Sequence, residues 1–129
     1  MDLGRVGIWT FALDLQPVAR AREVAAELEE LGYGAIWIPD AIGRDPLVHA
    51  ALLLGGTNRV AVGTGIAQIY GRDPMTMTGG WKTITEAFPG RFVLGLGVSH
   101  QPMVEGLRGQ TYGPPLTAMR EYLERMDTA

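Results

Sequence analysis

Four short apolar runs recur along the chain at intervals that leave room for one helix between each pair. They are "RVGIWTFA" (5–12), "GAIWIPDA" (34–41), "RVAVGTGIAQI" (59–69) and "RFVLGLGVSH" (91–100). Their starts near residues 5, 35, 59 and 91 are spaced by 30, 24 and 32 residues, the rhythm of repeated β-α units. The runs lack clean apolar-polar alternation, as expected of parallel strands covered on both faces. The segments between them carry helical signals. "PVARAREVAAELEEL" sets Val18, Ala21, Ala25 and Leu28 on one face, with Gly32 as a stop. "DPLVHAALLLGG" and "DPMTMTGGWKTITEAF" each begin with an Asp N-cap, Asp45 or Asp73, and a proline in the first turn. Gly79-Gly80 is expected to weaken the second of these helices. "PPLTAMREYLERM" sets Leu116, Met119, Leu123 and Met126 on one face. The class is therefore α/β, either a doubly wound open sheet or part of a (β/α)8 barrel.

The glycines help choose between them. A dinucleotide fold needs G-x-G-x-x-G directly after its first strand, and strand one ends in "WTFALD". "GTGIAQ" and "GLGVSH" hold two of the three glycines and lack the third. Glycines late in a strand also allow a bulge, or close approach of a flat ligand to bare backbone.

Composition narrows the function. With 47% hydrophobic and 19% charged residues, the chain is that of a globular domain. Eleven basic against fourteen acidic residues give a net charge of −3 with no block of like charges, so no nucleic-acid or anionic-membrane footprint is visible. The absence of cysteine excludes disulfides, thiolate metal sites and cysteine nucleophiles. No apolar run approaches the ~20 residues that cross a bilayer, and "MDLGRVGIW" is unlike a signal peptide. A cytoplasmic protein is expected.

The stretches "GYGAIWIPDA", "VGTGIAQIYGRDP" and "FPGRFVLGLGVSH" resemble, in that order, the bacterial luciferase-like superfamily, and within it the oxidoreductases that use the deazaflavin coenzyme F420. The likeness covers nearly the whole chain and is most specific at the third and fourth strands. It implies a (β/α)8 barrel with the cofactor ring at the C-terminal strand ends. It also implies hydride transfer at the deazaflavin C5 carbon, to or from a small organic substrate. A complete barrel takes ~250 residues. The chain therefore reads as one truncated luciferase-like domain over 1–129, the N-terminal half, (β/α)4, of a TIM barrel. A half-barrel leaves two strand edges unpaired, so a homo-oligomer is expected. Two alternatives accompany this reading: an FMN-dependent monooxygenase of the same superfamily, and a non-catalytic half-barrel that self-associates.

The resemblance also assigns residues. It implies a non-proline cis peptide at Gly65-Ile66 whose backbone supports the cofactor ring, and cofactor contacts at Asp40, Gln68, Val98 and Ser99. Related sugar-phosphate dehydrogenases follow the Asp with a catalytic His; Ala41 stands here, so that proton-transfer role does not carry over. His100 occupies the place of a Glu acid/base in those relatives, and histidine chemistry suits the task. Asp40 alternatively caps the loop "DAIGRDP". Trp9 and Phe11, at the end of strand one, are expected to pack rather than to wall a substrate pocket. His49 is expected as a packed or surface helix residue. Arg44 and Arg72 are candidates for a rim that attracts an anionic cofactor tail. Arg91, at the opposite end, is expected to be structural. No metal site is expected, because His49, His100 and Asp40 lack short ligand spacing.

Overall fold

A computed structural model describes residues 1–129 in full. Four β-α units follow one another. The strands are β1 (Gly7–Trp9), β2 (Ala35–Ile38), β3 (Ala61–Thr64), β4 (Ala67–Gln68), β5 (Phe92–Val93) and β6 (Leu96–Gly97). The helices are α1 (Val18–Glu30), α2 (Pro46–Gly55), α3 (Pro74–Ala87) and α4 (Pro115–Asp127). A 3-10 turn (Ala12–Leu15) follows β1, and a π-helical turn (Pro102–Leu107) follows β6.

All strand pairs are parallel. The main sheet runs β1-β2-β3-β5, and β4-β6 extends it beyond a break. Ile36 lies beside Ile8 and Val62, and Val62 beside Phe92. This is the sheet of the first half of a (β/α)8 barrel. Ile36, Ile38, Val62 and Phe92 form the strand side of the core, against Ala21 and Ala25 of α1, Leu53 and Leu54 of α2, and Met77 and Ile84 of α3.

The opposite, inward face sets small residues around Trp37, with Trp9 beside it on β1. Trp37 spreads over both neighbouring strands: a β-carbon on Gly7 would stand 3.2 Å from its Nε1, and one on Gly63 would stand 2.6 Å from its Cε3. Gly63 is therefore a packing partner of Trp37, and an added methyl there has no room.

The last two strands are shorter than the sequence suggests. The expected strands over 59–69 and 91–100 are each interrupted, at Gly65-Ile66 and at Leu94-Gly95. There the Thr64 hydroxyl enters the ladder, accepting from Gly95 N–H at 2.9 Å and donating to Gly95 O at 2.8 Å. The Gly65-Ile66 peptide is cis, as the resemblance implies.

Asp45 and Asp73 cap α2 and α3, each accepting at 2.9 Å from the N–H three residues on. Helix α3 runs unbroken through Gly79-Gly80, so the expected weakening leaves no interruption. Of the four residues expected on the inner face of α4, Met119 and Met126 pack against the core and the two leucines do not. Leu116 is 82% exposed and Leu123 is exposed, whereas Tyr122 is buried at 7%. Tyr122 lies inward because its hydroxyl reaches a backbone acceptor, Arg72 O, at 2.6 Å. Arg91 binds Val60 O, Thr57 Oγ1 and the end of α2 at the N-terminal side of the sheet, a structural position as expected.

Candidate functional site

The C-terminal strand ends gather most of the residues singled out in the sequence. Asp40 follows β2 with its side chain only 6% exposed. Its Oδ2 accepts from Gln68 N–H at 3.1 Å, across to β4, instead of capping its own loop. Burial pushes the Asp40 carboxyl above its ordinary value, while Gln68 N–H and the charges of Arg108 and Arg72 pull it back. Arg108 ends the π-helical turn and brings Nη2 to 3.8 Å from Asp40 Oδ1. Nothing in the sequence announces Arg108; it reaches the strand ends only because the chain turns back after β6.

Gln68 is 2% exposed, and its Oε1 is buried without a hydrogen-bond partner. Arg108 Nε is likewise buried and unpartnered. Buried polar atoms rarely remain unsatisfied, and Asp14, His49 and Thr85 elsewhere in the chain also hold such atoms.

Beside it lies the bare backbone of Gly65. Trp9 Nε1–H donates to Gly65 O at 2.6 Å. Trp9 is 53% exposed, and its ring centroid stands 6.2 Å from that of Phe11, which is also exposed. Neither ring is core here, contrary to the packing expectation, because β1 is an edge strand and its mouth-side end has a neighbour on one side only. Ile66 is partly exposed and covers Gly97; a β-carbon on Gly97 would meet Ile66 Cδ1 at 2.6 Å. The second glycine of "GLG" thus makes room for the side chain of the bulge.

Val98 and Ser99 are half-buried at the end of β6, and Ser99 adopts a left-handed φ of 55°. Tyr112 OH donates to Ser99 O at 3.3 Å. His100 is exposed, and its imidazole joins no hydrogen bond or ion pair; only its carbonyl is used, accepting Val104 N–H at 3.1 Å. The structure therefore unites Asp40, Gln68 and Arg108, places Gly65 and Ile66 on the neighbouring bulge, and leaves His100 in solvent.

The two arginines expected at the rim are committed elsewhere. Arg44 donates to Leu13 O at 3.0 Å and Gln16 O at 2.7 Å, and Arg72 is ion-paired with Asp45. His49 is fully buried, with Nδ1 3.3 Å from Asp14 Oδ1. Burial, reinforced by the Arg44 charge, pushes its pKa down to about 4. No group of three or more metal-ligating side chains stands close enough to hold an ion, and no helix is long and apolar enough to cross a membrane.

The profile of the luciferase-like monooxygenase family matches residues 3–129, nearly the whole chain. The chain belongs to that family. Among its relatives is a Mycobacterium tuberculosis protein provisionally named a coenzyme F420-dependent oxidoreductase. It is 34% identical over 125 residues, which are 96% of this chain and 35% of the relative. The 5,10-methylenetetrahydromethanopterin reductase of Methanolobus tindarius is 28% identical over 87% of this chain and 35% of its own length. The chain thus spans about a third of the curated relatives it matches. Two solved structures share the fold at TM-score 0.79. One is the coenzyme F420-dependent tetrahydromethanopterin reductase of Methanopyrus kandleri, 19% identical, covering 97% of this chain and 40% of that one. The other is the oxygenating constituent of 3,6-diketocamphane monooxygenase from Pseudomonas putida, in complex with FMN. It is 14% identical, covering 97% of this chain and 39% of that one.

Proposed function

We propose that this chain is the cofactor-proximal part of an oxidoreductase that transfers a hydride between coenzyme F420 and a small organic substrate. The observation that carries the reading is the buried Asp40–Gln68 pair at the C-terminal strand ends, on the strand that follows the Gly65-Ile66 bulge. The names of the 34% and 28% identical relatives support F420 over FMN.

F420, when bound, supplies a carbon that gives or takes the hydride. The chain's own residues do the rest. The backbone of Gly65-Ile66, backed by Trp9, forms the shelf against which a flat ring rests. Asp40 and Gln68 orient it from one edge, and Val98 and Ser99 border it on the next strand. His100, free at the mouth, takes or returns the proton on an imidazole nitrogen as the substrate's oxygen changes bonding.

The test is a titration of the purified chain with oxidised F420 and, separately, with FMN, followed by fluorescence quenching. Saturable F420 binding, weakened at least about tenfold by Asp40→Asn, is the expected outcome. Binding of neither cofactor contradicts the reading, and preference for FMN transfers the chain to the monooxygenase branch.

A further inference from the structure

The sheet ends in two open edges. Every strand pair is parallel, and β1 and the last strand, β5 with its continuation β6, each have a neighbour on one side only. In a parallel ladder, alternate residues of a strand bond to opposite neighbours. Val6 O and Thr10 N–H are both given to the β2 side, so the N–H and C=O groups of Gly7 and Trp9 point out of the sheet. At the other edge Arg91 O, Gly95 O and Gly97 O accept from Val62, Ala67 and Ile69, so the backbone groups of Phe92, Leu94 and Leu96 point outward.

Apolar surface flanks both edges. Val6, Trp9 and Phe11 are exposed beside β1. A cleft of about 310 Å³, lined by Trp81, Leu94, Leu96, Leu123 and Met126, runs along the last strand. All 129 residues are described, and none of them covers either edge. The accessible surface is 7325 Å². A folded monomer of 13.9 kDa is expected to expose roughly 6,700 Å², so this chain carries about 600 Å² in excess. A stable interface buries about 800 Å² on each partner, and the excess is of that order.

We propose that two copies of the chain close into one eight-stranded barrel about a two-fold axis, each copy supplying four β-α units. Rotation about the barrel axis keeps the partner's strands pointing the same way. It lays β1 of one protomer, in parallel, along the last strand of the other. The contact forms twice, and no edge remains. At the mouth, the end of β6 in one protomer adjoins the end of β1 in its partner. His100 of each copy then stands near Trp9 and Phe11 of the other, so the rim of each strand-end site comes from both chains. The contact needs no cofactor and stands apart from the hydride-transfer reading.

The test is the mass of the purified chain by light scattering over a dilution series, with amide hydrogen exchange read residue by residue by NMR. A dimer of twice 13.9 kDa is expected. In it, the N–H groups of Gly7, Trp9, Leu94 and Leu96 should exchange at least about a hundredfold more slowly than unstructured amides. Val6→Lys puts a charge beside the β1 edge, and Val6 is 59% exposed, so the fold of each copy tolerates the change. That variant should dissociate at least about tenfold more readily, with continued protection of Ile36 and Val62 as the check that it is folded. A dimer whose four edge amides exchange freely uses another face and overturns the proposal. So does a chain that stays monomeric at high concentration. A mass that climbs past two copies overturns it as well, because a closed barrel has no edge left to extend. A Val6→Lys chain that is folded, dimeric and equally protected is likewise incompatible with it.

Discussion

Glu29 holds three consecutive backbone donors, the N–H groups of Asn58, Arg59 and Val60, where the chain enters β3. Burial alone would raise its pKa, but these hydrogen bonds outweigh burial and hold it below the ordinary 4.5. Its stabilising contribution is therefore complete above about pH 4.5 and is lost as pH falls through the lower folded value. Glu29→Gln should cost about 1–3 kcal/mol at pH 7 in urea unfolding, and the gap from wild type should narrow in acid. His49 works in a separate window. It is buried and neutral, and its pKa lies near 4 against 6.5 unperturbed. Between those values the unfolded chain binds more protons, so His49 makes stability fall as pH drops from about 6.5 toward 4. Comparing wild type with His49→Gln isolates this from Asp14, whose raised pKa acts in the opposite sense. The difference between the two proteins should change by on the order of 3 kcal/mol across the window. A pH-independent difference contradicts the assignment. Neither residue could be ranked from the sequence: Glu29 sits among other acids on α1, and the Asp14 carboxyl beside His49 comes from the 3-10 turn after β1.

At the scale of elements, glycines that look alike in the sequence do opposite work. Gly79 lies in α3 with open space around a β-carbon position, so Gly79→Ala should stabilise the protein by about 0.5–1 kcal/mol. Gly63 lies under Trp37, so Gly63→Ala should destabilise it by about 1–3 kcal/mol, with Trp37→Leu relieving part of that loss. Thermal unfolding of the two single variants and the double variant checks both statements. The order of strands and helices was legible because apolar runs, Asp-Pro caps and glycine stops are local signals. The breaks in the third and fourth units were not, because they depend on the Thr64 hydroxyl meeting Gly95 from another strand. The inner face of α4 was half legible: Met119 and Met126 pack as expected, whereas the carbonyl of Arg72, which the sequence does not place, decides that Tyr122 faces in. The resemblance pointed to Asp40 and Gln68, whereas Arg108 depends on how the chain returns after β6.

Across the whole molecule, the first and last strands of the sheet each have a neighbour on one side only. Trp9 and Phe11 stand exposed at one of those edges, and Ile66 is partly exposed beside the bulge. Unpaired edges next to apolar surface favour association. Light scattering of the purified chain should therefore give at least twice the monomer mass of 13.9 kDa, and a monomer at high concentration contradicts that expectation. The more direct question is where a deazaflavin ring settles. A crystal structure of the chain with oxidised F420 should place the ring against Gly65-Ile66, with one edge at Asp40 and Gln68. A ring bound elsewhere, for instance in the cleft between Arg72 and Arg125 beside α4, would contradict the account.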